Sequence, residues 1–242
     1  MHRTGVAVRG YGAQSVRGGP VDTVRAAFRD ECARLGEVLS GLSEADLDRP
    51  TDCRPWTVRE LLAHVRSGAG RLADMLAAPA PPEAEVDAAT YFGAPKFTPE
   101  VDVARIDSGR REARELDGAA LVADFERAWR ATEVAVAAAP ADRVVRTRHG
   151  DAMSVTEFLR TRVVEVGVHG LDLAAALALE PWLTPTAAQV IAGLLTGGRP
   201  VPPELGWDRL TLIRKTTGRA RLSRREQAVV DAAGFRWLSF GG

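Results

Sequence analysis

An apolar stretch that no proline interrupts, residues 154–180, constrains the fold more than any other part of this chain. Valine and leucine fill most of its middle, so the pattern predicts one long helix that is buried on nearly all sides. At about 100° per residue, Glu165, His169 and Asp172 fall within a narrow sector of that helix, and Arg162 lies at its edge. These ionisable side chains need partners inside the protein, because a buried and unpaired charge is costly.

A bound metal ion is one partner that suits a carboxylate and an imidazole together. Glu165 and His169 lie one helical turn apart on the same face, so both can reach a single ion. The pair alone is a weak signal, since the same spacing also occurs in buried ion pairs and on solvated helix faces. These two alternatives stay open beside metal binding.

Most of the remaining chain also shows helical patterns. Apolar residues recur at helical spacing over residues 21–41, with Asp22 as the expected N-cap. A second helix is expected from a capping box formed by Thr57 and Glu60 to the proline at position 79. Ser154 and Glu157 predict a similar capping box at the start of the long helix. Ser223 and Glu226 predict another at the start of a helix near the end of the chain. Further helices are expected over residues 100–115, 119–139, 186–195 and 208–217.

Residues 78–99 form the longest irregular stretch and contain five prolines. A connection of this length inside a compact domain is usually functional or mobile. Its aromatic residues Tyr91, Phe92 and Phe97 suggest that it folds back onto the protein. A little extended structure is expected over residues 144–153.

These patterns predict an all-α protein, because no βαβ alternation and no glycine-rich phosphate loop occurs in the sequence. Four long helices with one long crossover connection fit a four-helix bundle. We expect residues 1–20 to form a flexible lead-in and residues 21–180 to form the bundle. Residues 181–242 are expected to form a small, mostly helical C-terminal appendage.

Composition excludes several classes of partner. The chain has 32 Lys and Arg against 32 Asp and Glu, which gives no support for binding to nucleic acid or to an anionic membrane. No run of apolar residues approaches a membrane span, and the first residues lack the apolar core of a secretory signal. Cys32 and Cys53 form neither a disulfide framework nor a CxxC motif, which predicts a reduced, cytoplasmic protein. Cys32 is expected to pack in a helix, although either thiol could be reactive.

The histidines extend the hypothesis of a metal site. His64 lies within the second predicted helix, and in a bundle it could face Glu165 and His169. Two histidines and one carboxylate form an open, catalytic type of metal site rather than a closed structural one. The alternative is that His64 is a core histidine with a satisfied hydrogen bond. His2 and His149 are expected outside the site, the latter in an exposed polar loop.

Two segments carry a resemblance to a known family. Residues 54–65 (RPWTVRELLAHV) resemble the signature W-T-V-x-x-(V/L)-x-x-H-(L/V) of the mycothiol-dependent maleylpyruvate isomerase family. Residues 162–174 (RVVEVGVHGLDLA) resemble its partner signature, R-x-x-E-x-x-x-H-x-x-D-L-A. Residues 217–226 also look like the tail of these proteins. The resemblance covers residues 21–242, and the two signatures match together in order and spacing.

The resemblance implies a DinB-like metal-binding four-helix bundle. It implies that His64, Glu165 and His169 bind a divalent metal, with Zn²⁺ as the expected ion. Arg162 and Asp172 also match motif positions and are the candidate catalytic residues. Asp172 could orient a ligand imidazole. Alternatively, Arg162 and Asp172 contribute to helix packing or to an ion pair, and both alternatives stay open.

The resemblance also implies a reaction. Mycothiol, a low-molecular-weight thiol, would be the co-substrate, and a small electrophile such as maleylpyruvate would be the substrate. The metal would lower the pKa of the thiol, whose thiolate adds to the double bond; rotation and elimination then give the trans isomer. A thiol S-transferase would stop after addition or displacement, and the ligand set serves both reactions.

The sequence leaves open the identity of the substrate, the oligomeric state and two alternative functions. An anionic substrate favours arginine in the pocket, and Arg162 and Arg71 are candidates for that role. A homodimer is compatible with the sequence. The chain could instead be a hydrolase that uses metal-bound hydroxide, or a non-catalytic helical binding module.

Overall fold

The computed structural model describes residues 20–93 and 98–235. The expected lead-in (apart from Pro20), Phe97 and the last residues of the appendage lie outside this part of the chain. The helices are, in chain order, α1 (Pro20–Leu39), α2 (Glu44–Leu47), α3 (Val58–Ala77), α4 (Ala88–Gly93), α5 (Pro99–Arg114), α6 (Gly118–Ala138), α7 (Val155–Leu177), α8 (Pro185–Thr196), α9 (Arg209–Thr216) and α10 (Arg224–Ala233). Two short strands, β1 (Val144–Arg146) and β2 (Ala152–Ser154), pair antiparallel just before α7.

Four helices form the bundle. Helix α7 packs against α1 and α3, and α6 packs against the same two helices from the other side. The order around the bundle is therefore α1, α7, α3, α6, with α7 and α3 as direct neighbours. Helices α4 and α5 belong to the long connection between α3 and α6, and they pack against α7 and α3 respectively. The predicted all-α, DinB-like bundle is confirmed.

Helix α7 is buried on nearly all sides, as its sequence predicts. Seventeen of its 23 residues are buried. Its glycines allow neighbours to approach closely: a Cβ atom at Gly167 would lie 2.8 Å from Cδ1 of Ile191 on α8. Arg162, His169 and Asp172 of α7 are therefore buried inside the bundle.

Helix caps follow the sequence closely at several helix starts. Thr57 and Glu60 form the predicted capping box at α3, and Ser223 and Glu226 form the one at α10. One predicted cap is wrong, because α1 begins at Pro20 and places Asp22 inside the first turn.

The start of α7 differs from the prediction in an informative way. Ser154 caps the helix by accepting a hydrogen bond from the backbone N–H of Glu157 at 3.2 Å. The Glu157 carboxylate does not close a capping box; it accepts a hydrogen bond from the backbone N–H of Ala88 at 3.0 Å instead. This contact anchors α4 to α7.

The long connection is more ordered than its composition suggests. Three of its five prolines precede α4, a helix that the sequence analysis did not identify. Tyr91 and Phe92 on α4 are buried, so the prediction that these aromatic residues fold back onto the protein is confirmed. The rings of Tyr91 and Phe158 lie 6.3 Å apart, which places α4 over the first turns of α7.

The segment after α7 contacts the bundle directly. Helix α8 packs on α1 and α7, and its apolar residues join the main core. The buried carboxylate of Glu31 on α1 accepts hydrogen bonds from the backbone N–H and the hydroxyl of Thr184, at 2.8 and 2.7 Å. A second, smaller apolar cluster contains Leu212, Val230 and Phe235. A domain division at residue 180 stays a prediction.

Crossing a bilayer requires a long and continuously apolar helix. Within the described ranges, no helix of the chain has both properties.

Two valines of α6 test the packing of the bundle. Val136 is 6% exposed and Val134 is 70% exposed. We expect Val136→Ala to lower the free energy of unfolding by about 2 kcal/mol, because it removes buried methyl groups and leaves a cavity. Val134→Ala on the same helix should change it by no more than about 0.5 kcal/mol. Urea denaturation measures both, and equal losses in the two variants would contradict this packing.

Candidate metal centre

The contact between α3 and α7 brings together three side chains. Nε2 of His64 lies 2.8 Å from Oε1 of Glu165, and Nε2 of His169 lies 3.8 Å from the same oxygen. One ligand atom from each of the three residues lies within 4.8 Å of the other two. The structure therefore brings together the three residues that the sequence analysis proposed as ligands.

Two neighbours shape this cluster. The ring of Trp56, just before α3, lies 4.7 Å from the ring of His64 and is tilted by 31°, which restricts the orientation of the imidazole. Gly68 lies one helical turn after His64. A Cβ atom there would be 3.1 Å from Nη1 of Arg162 and 3.6 Å from Cγ of Glu165. The glycine thus leaves the space that the α7 side chains occupy.

The electrostatics favour the protonation states that a metal needs. Burial lowers the pKa of His64 to about 4, although the Glu165 carboxylate opposes this shift. Burial would raise the pKa of Glu165, but the hydrogen bond with His64 and the Arg162 guanidinium outweigh it and hold this pKa well below its ordinary value. At neutral pH the site therefore contains a neutral imidazole and an ionised carboxylate, the forms that bind metal.

Asp172 orients the second histidine from the far side. Its Oδ2 lies 2.9 Å from Nδ1 of His169 and accepts hydrogen bonds from Nη2 of Arg219 at 2.8 Å and from the Cys53 thiol at 3.0 Å. Burial opposes ionisation of Asp172, but the bonds from His169 and Arg219 prevail and lower its pKa. An ionised Asp172 fixes the proton of His169 on Nδ1 and leaves Nε2 to face Glu165.

Arg162 has different neighbours from those of Asp172. Its Nε donates to the Thr161 hydroxyl at 3.1 Å, and Nη2 lies 4.0 Å from Oε2 of Glu165. Arg162 and Asp172 therefore do not pair with each other: the ion pair of Asp172 is with Arg219.

The three-residue cluster fits a tetrahedral metal. Zinc binds nitrogen and oxygen ligands at about 2.0–2.2 Å, which places the ligand atoms roughly 3.4 Å from one another. The separations of His64 Nε2 and His169 Nε2 from Oε1 of Glu165, 2.8 and 3.8 Å, lie on either side of that value. Two imidazoles and one carboxylate are the donor set of zinc sites that keep a position for water or substrate.

A second cluster, Cys53, His169 and Asp172, also has the composition of a metal site. Its chemistry is less suitable. Burial and the neighbouring Asp172 carboxylate raise the pKa of the Cys53 thiol to about 12, whereas a metal ligand must be a thiolate. The Arg219 guanidinium already donates hydrogen bonds to both carboxylate oxygens of Asp172. Of the two clusters, the one around Glu165 is the better metal site.

A cavity of about 50 Å³ adjoins the cluster. Arg71 and Arg162, the two arginines proposed as pocket residues from the sequence, both line it. The other lining residues are His64, Gly68, Tyr91, Phe92, Arg105, Arg148, His149 and Glu165. His149 is half-buried in this wall, its ring 6.0 Å from that of Tyr91, so the prediction of an exposed loop histidine is wrong.

Three contributors escaped the sequence analysis. Arg219 was noted as part of a family-like tail, but its contact with Asp172 joins positions 47 residues apart. Cys53 was noted only as a thiol that could be reactive. Arg148 lies in the connection between the two strands, where no periodic pattern indicates which way a side chain points. The only sequence signal for the first two is that each lies beside a family motif.

The chain matches one family model along more than half of its length. That model describes the mycothiol maleylpyruvate isomerase N-terminal domain, and it matches residues 28–174. Similar solved structures include a crystal structure of the mycothiol-dependent maleylpyruvate isomerase and one of a histidine-to-alanine mutant of it. Each has a TM-score of 0.52 and 21% sequence identity to this chain. Each match covers 73% of this chain and 70% of the chain in the solved structure. At this identity the likeness establishes a shared fold. No curated protein matches the chain.

The pKa of His64 predicts how the metal-free protein responds to acid. The folded pKa of about 4 lies below the ordinary value of 6.5, so between these pH values the unfolded chain binds a proton that the folded chain does not. The free energy of unfolding should therefore fall as the pH is lowered through this range. His64→Gln keeps an N–H donor for Glu165 and should show a shallower slope. Denaturation in the presence of a chelator measures both slopes, and identical slopes would contradict the assignment.

The pair of Asp172 and Arg219 should be strongly coupled, because both side chains are largely buried. Their side chains are 4% and 14% exposed, whereas those of the surface pair Glu126 and Arg130 are 29% and 65% exposed. A double-mutant cycle with Asp172→Asn and Arg219→Met should give a coupling energy of about 2 kcal/mol. The cycle with Glu126→Gln and Arg130→Met should give less than about 1 kcal/mol. Equal coupling in the two cycles would exclude a special role for the buried pair.

Proposed function

Because the chain belongs to the mycothiol maleylpyruvate isomerase family, as its motifs predicted, we propose that it is an enzyme that isomerises a small electrophile with the help of a thiol and a divalent metal. The observation that carries this proposal is the convergence of His64, Glu165 and His169 from two neighbouring helices beside a cavity. Three donors around one point are the minimum for an open metal site.

His64, Glu165 and His169 would hold the metal, with Zn²⁺ as the expected ion. When bound, it supplies Lewis acidity, which lowers the pKa of a coordinated thiol so that thiolate is present near neutral pH. The chain contributes the orientation of the ligands. Asp172 keeps the proton of His169 on Nδ1, and Arg162 favours the ionised form of Glu165.

Mycothiol is the proposed co-substrate, and maleylpyruvate or a similar unsaturated acid is the proposed substrate. The thiolate would add to the activated cis double bond, the resulting single bond would rotate, and elimination would restore the double bond in the trans form. The thiol is released unchanged, so no oxidant or reductant is needed. Tyr91 and Phe92 are buried at the cavity and would keep water away from the reacting carbon atoms.

A thiol S-transferase is the second candidate within the same site. The adjacent metal-ligand cluster and cavity suit either reaction, since both need a metal, a thiolate and room for an electrophile. The products separate the two: an isomerase returns free thiol, whereas a transferase incorporates it. Hydrolysis by metal-bound hydroxide predicts turnover without thiol, and a non-catalytic binding module predicts no turnover.

The proposed ligands all belong to one chain, so the proposal holds for a monomer and for a homodimer. Its partners are a low-molecular-weight thiol and a small electrophile, without nucleic acid or membrane. A reducing compartment such as the cytoplasm suits an enzyme that uses a free thiol.

Metal analysis combined with a turnover assay tests the proposal. We expect about one zinc per chain and turnover of maleylpyruvate only when mycothiol is present. His64→Ala and Glu165→Gln should lose both the metal and the turnover, because each removes a ligand. Glu126→Gln, on α6 and outside the proposed ligand set, should keep both. Zinc content is measured by mass spectrometry after dialysis, and product formation by chromatography.

Two results would end the proposal in its present form. The first is a wild-type protein that retains no metal at neutral pH after incubation with zinc. The second is metal content unaffected by His64→Ala and Glu165→Gln.

A further inference from the structure

Arginine dominates the charge of the cavity beside the metal-ligand cluster. Arg71, Arg105, Arg148 and Arg162 line it, and among the described lining residues Glu165 is the one carboxylate. Glu165 is already engaged by His64 at 2.8 Å. The cavity wall therefore carries more positive than negative charge.

Arg71 on α3 is the arginine whose position demands a partner most clearly. Its side chain is half-buried, and within residues 20–93 and 98–235 it forms neither a hydrogen bond nor a salt bridge. Burial lowers its pKa, and the guanidinium groups of Arg148 and Arg162 lower it further, which outweighs the opposite effect of Tyr91 and Glu165. A guanidinium held near two others, partly removed from water, is an unfavourable arrangement for the folded protein alone.

Other arginines of α3 are paired. Arg59 binds the carboxylate of Glu44, and Arg66 binds that of Asp124. Arg162 on α7 is also engaged, by Thr161 and Glu165. The lack of a partner is thus a property of the place that Arg71 occupies, rather than of arginines on this helix.

We propose that Arg71, with Arg148 beside it, binds a carboxylate of the electrophilic substrate and so determines the specificity of this site for acidic electrophiles. The inference rests on the proposed function and deepens it, because it assigns the residue that recognises the substrate. The planar guanidinium matches a carboxylate with two parallel hydrogen bonds. A carboxylate at this place would also offset the repulsion among the three arginines.

The spacing on α3 suits this role. Arg71 follows His64 by seven positions, so the two lie on the same face with their backbones about 10 Å apart along the helix. A long arginine side chain can span much of that distance. A small molecule could therefore place its carboxylate at Arg71 and its reactive carbon close to the metal-ligand cluster.

The size of the cavity adds one requirement. A volume of about 50 Å³ holds little more than a water molecule or two. The substrate must therefore displace side chains of the wall, and Arg148, which is exposed and donates to His149 at 3.1 Å, is free to turn outward. We expect the side chains of Arg71 and Arg148 to move and surround an acidic ligand when it binds.

Binding of maleate, an unreactive dicarboxylate in the absence of thiol, tests the inference. Isothermal titration calorimetry on the zinc-loaded protein should show that Arg71→Met weakens maleate binding about tenfold or more, because it removes a charge-assisted hydrogen-bonded pair. Arg71→Lys should weaken it less, since it keeps the charge but not the fork. Maleamide, the neutral analogue, should bind equally to wild type and Arg71→Met.

Arg66→Met is the matched control, because it is the same substitution on the same helix at an arginine that has a partner. It should leave maleate binding unchanged and lower the melting temperature. Arg71→Met should not lower the melting temperature, because the substitution removes a repelled charge. A purely structural role for Arg71 predicts the opposite effect on melting.

Three outcomes would overturn the inference: no maleate binding to the wild type at millimolar concentrations, unchanged maleate binding in Arg71→Met, or an equal loss for maleate and maleamide. The proposed function can fail separately. Arg71-dependent maleate binding without thiol-dependent turnover would contradict the proposed isomerase function and support the carboxylate site. Thiol-dependent turnover with unchanged maleate affinity in Arg71→Met would do the reverse.

Discussion

The contact between His64 and Glu165 is the interaction on which the rest of this structure depends. It joins α3 to α7 inside the bundle, where an ionised carboxylate persists only if nearby groups compensate its charge. Glu165 has two histidines and Arg162 around it, while Gly68 leaves the space in which they meet. A buried ionic cluster of this kind is a poor device for stability, since apolar residues of the same volume would pack at lower cost. Its presence is better explained by a ligand that the cluster binds.

A second group of residues holds Nδ1 of His169, the ring nitrogen that faces away from Glu165. Asp172 receives hydrogen bonds from Arg219 and Cys53, which lie 166 residues apart in the sequence. The segment that follows the bundle therefore contributes directly to the centre through Arg219. The two sides of the cluster are chemically different: Asp172 and its donors are tightly paired, whereas the cavity side carries arginines with few acidic partners. This asymmetry suggests that ligands are received on the arginine side and that the Asp172 side maintains geometry.

The sequence predicted the features that depend on periodicity and local chemistry. The burial of α7, its polar sector and the position of His64 on the second long helix all follow from patterns within single helices. The start of α7 shows where such reasoning stops: Ser154 was recognised as the cap, but the Glu157 carboxylate bonds to Ala88, a residue 69 positions away. The pairing of Asp172 with Arg219 and the hydrogen bond of Cys53 could likewise not be predicted, nor could the lack of a hydrogen-bonded partner for Arg71 among the residues that the structure describes. Each depends on which distant segments meet, and side-chain periodicity carries no information about that.

The central claim is that Glu165, with one imidazole from each of two helices, forms the metal centre. X-ray absorption at the zinc edge of the loaded protein, without added thiol, tests it most directly. The account predicts nitrogen and oxygen neighbours at about 2.0–2.2 Å, with the outer-shell scattering of two imidazole rings and no sulfur. A zinc–sulfur distance of about 2.3 Å in the thiol-free protein would contradict it, because it would place the ion at Cys53 instead.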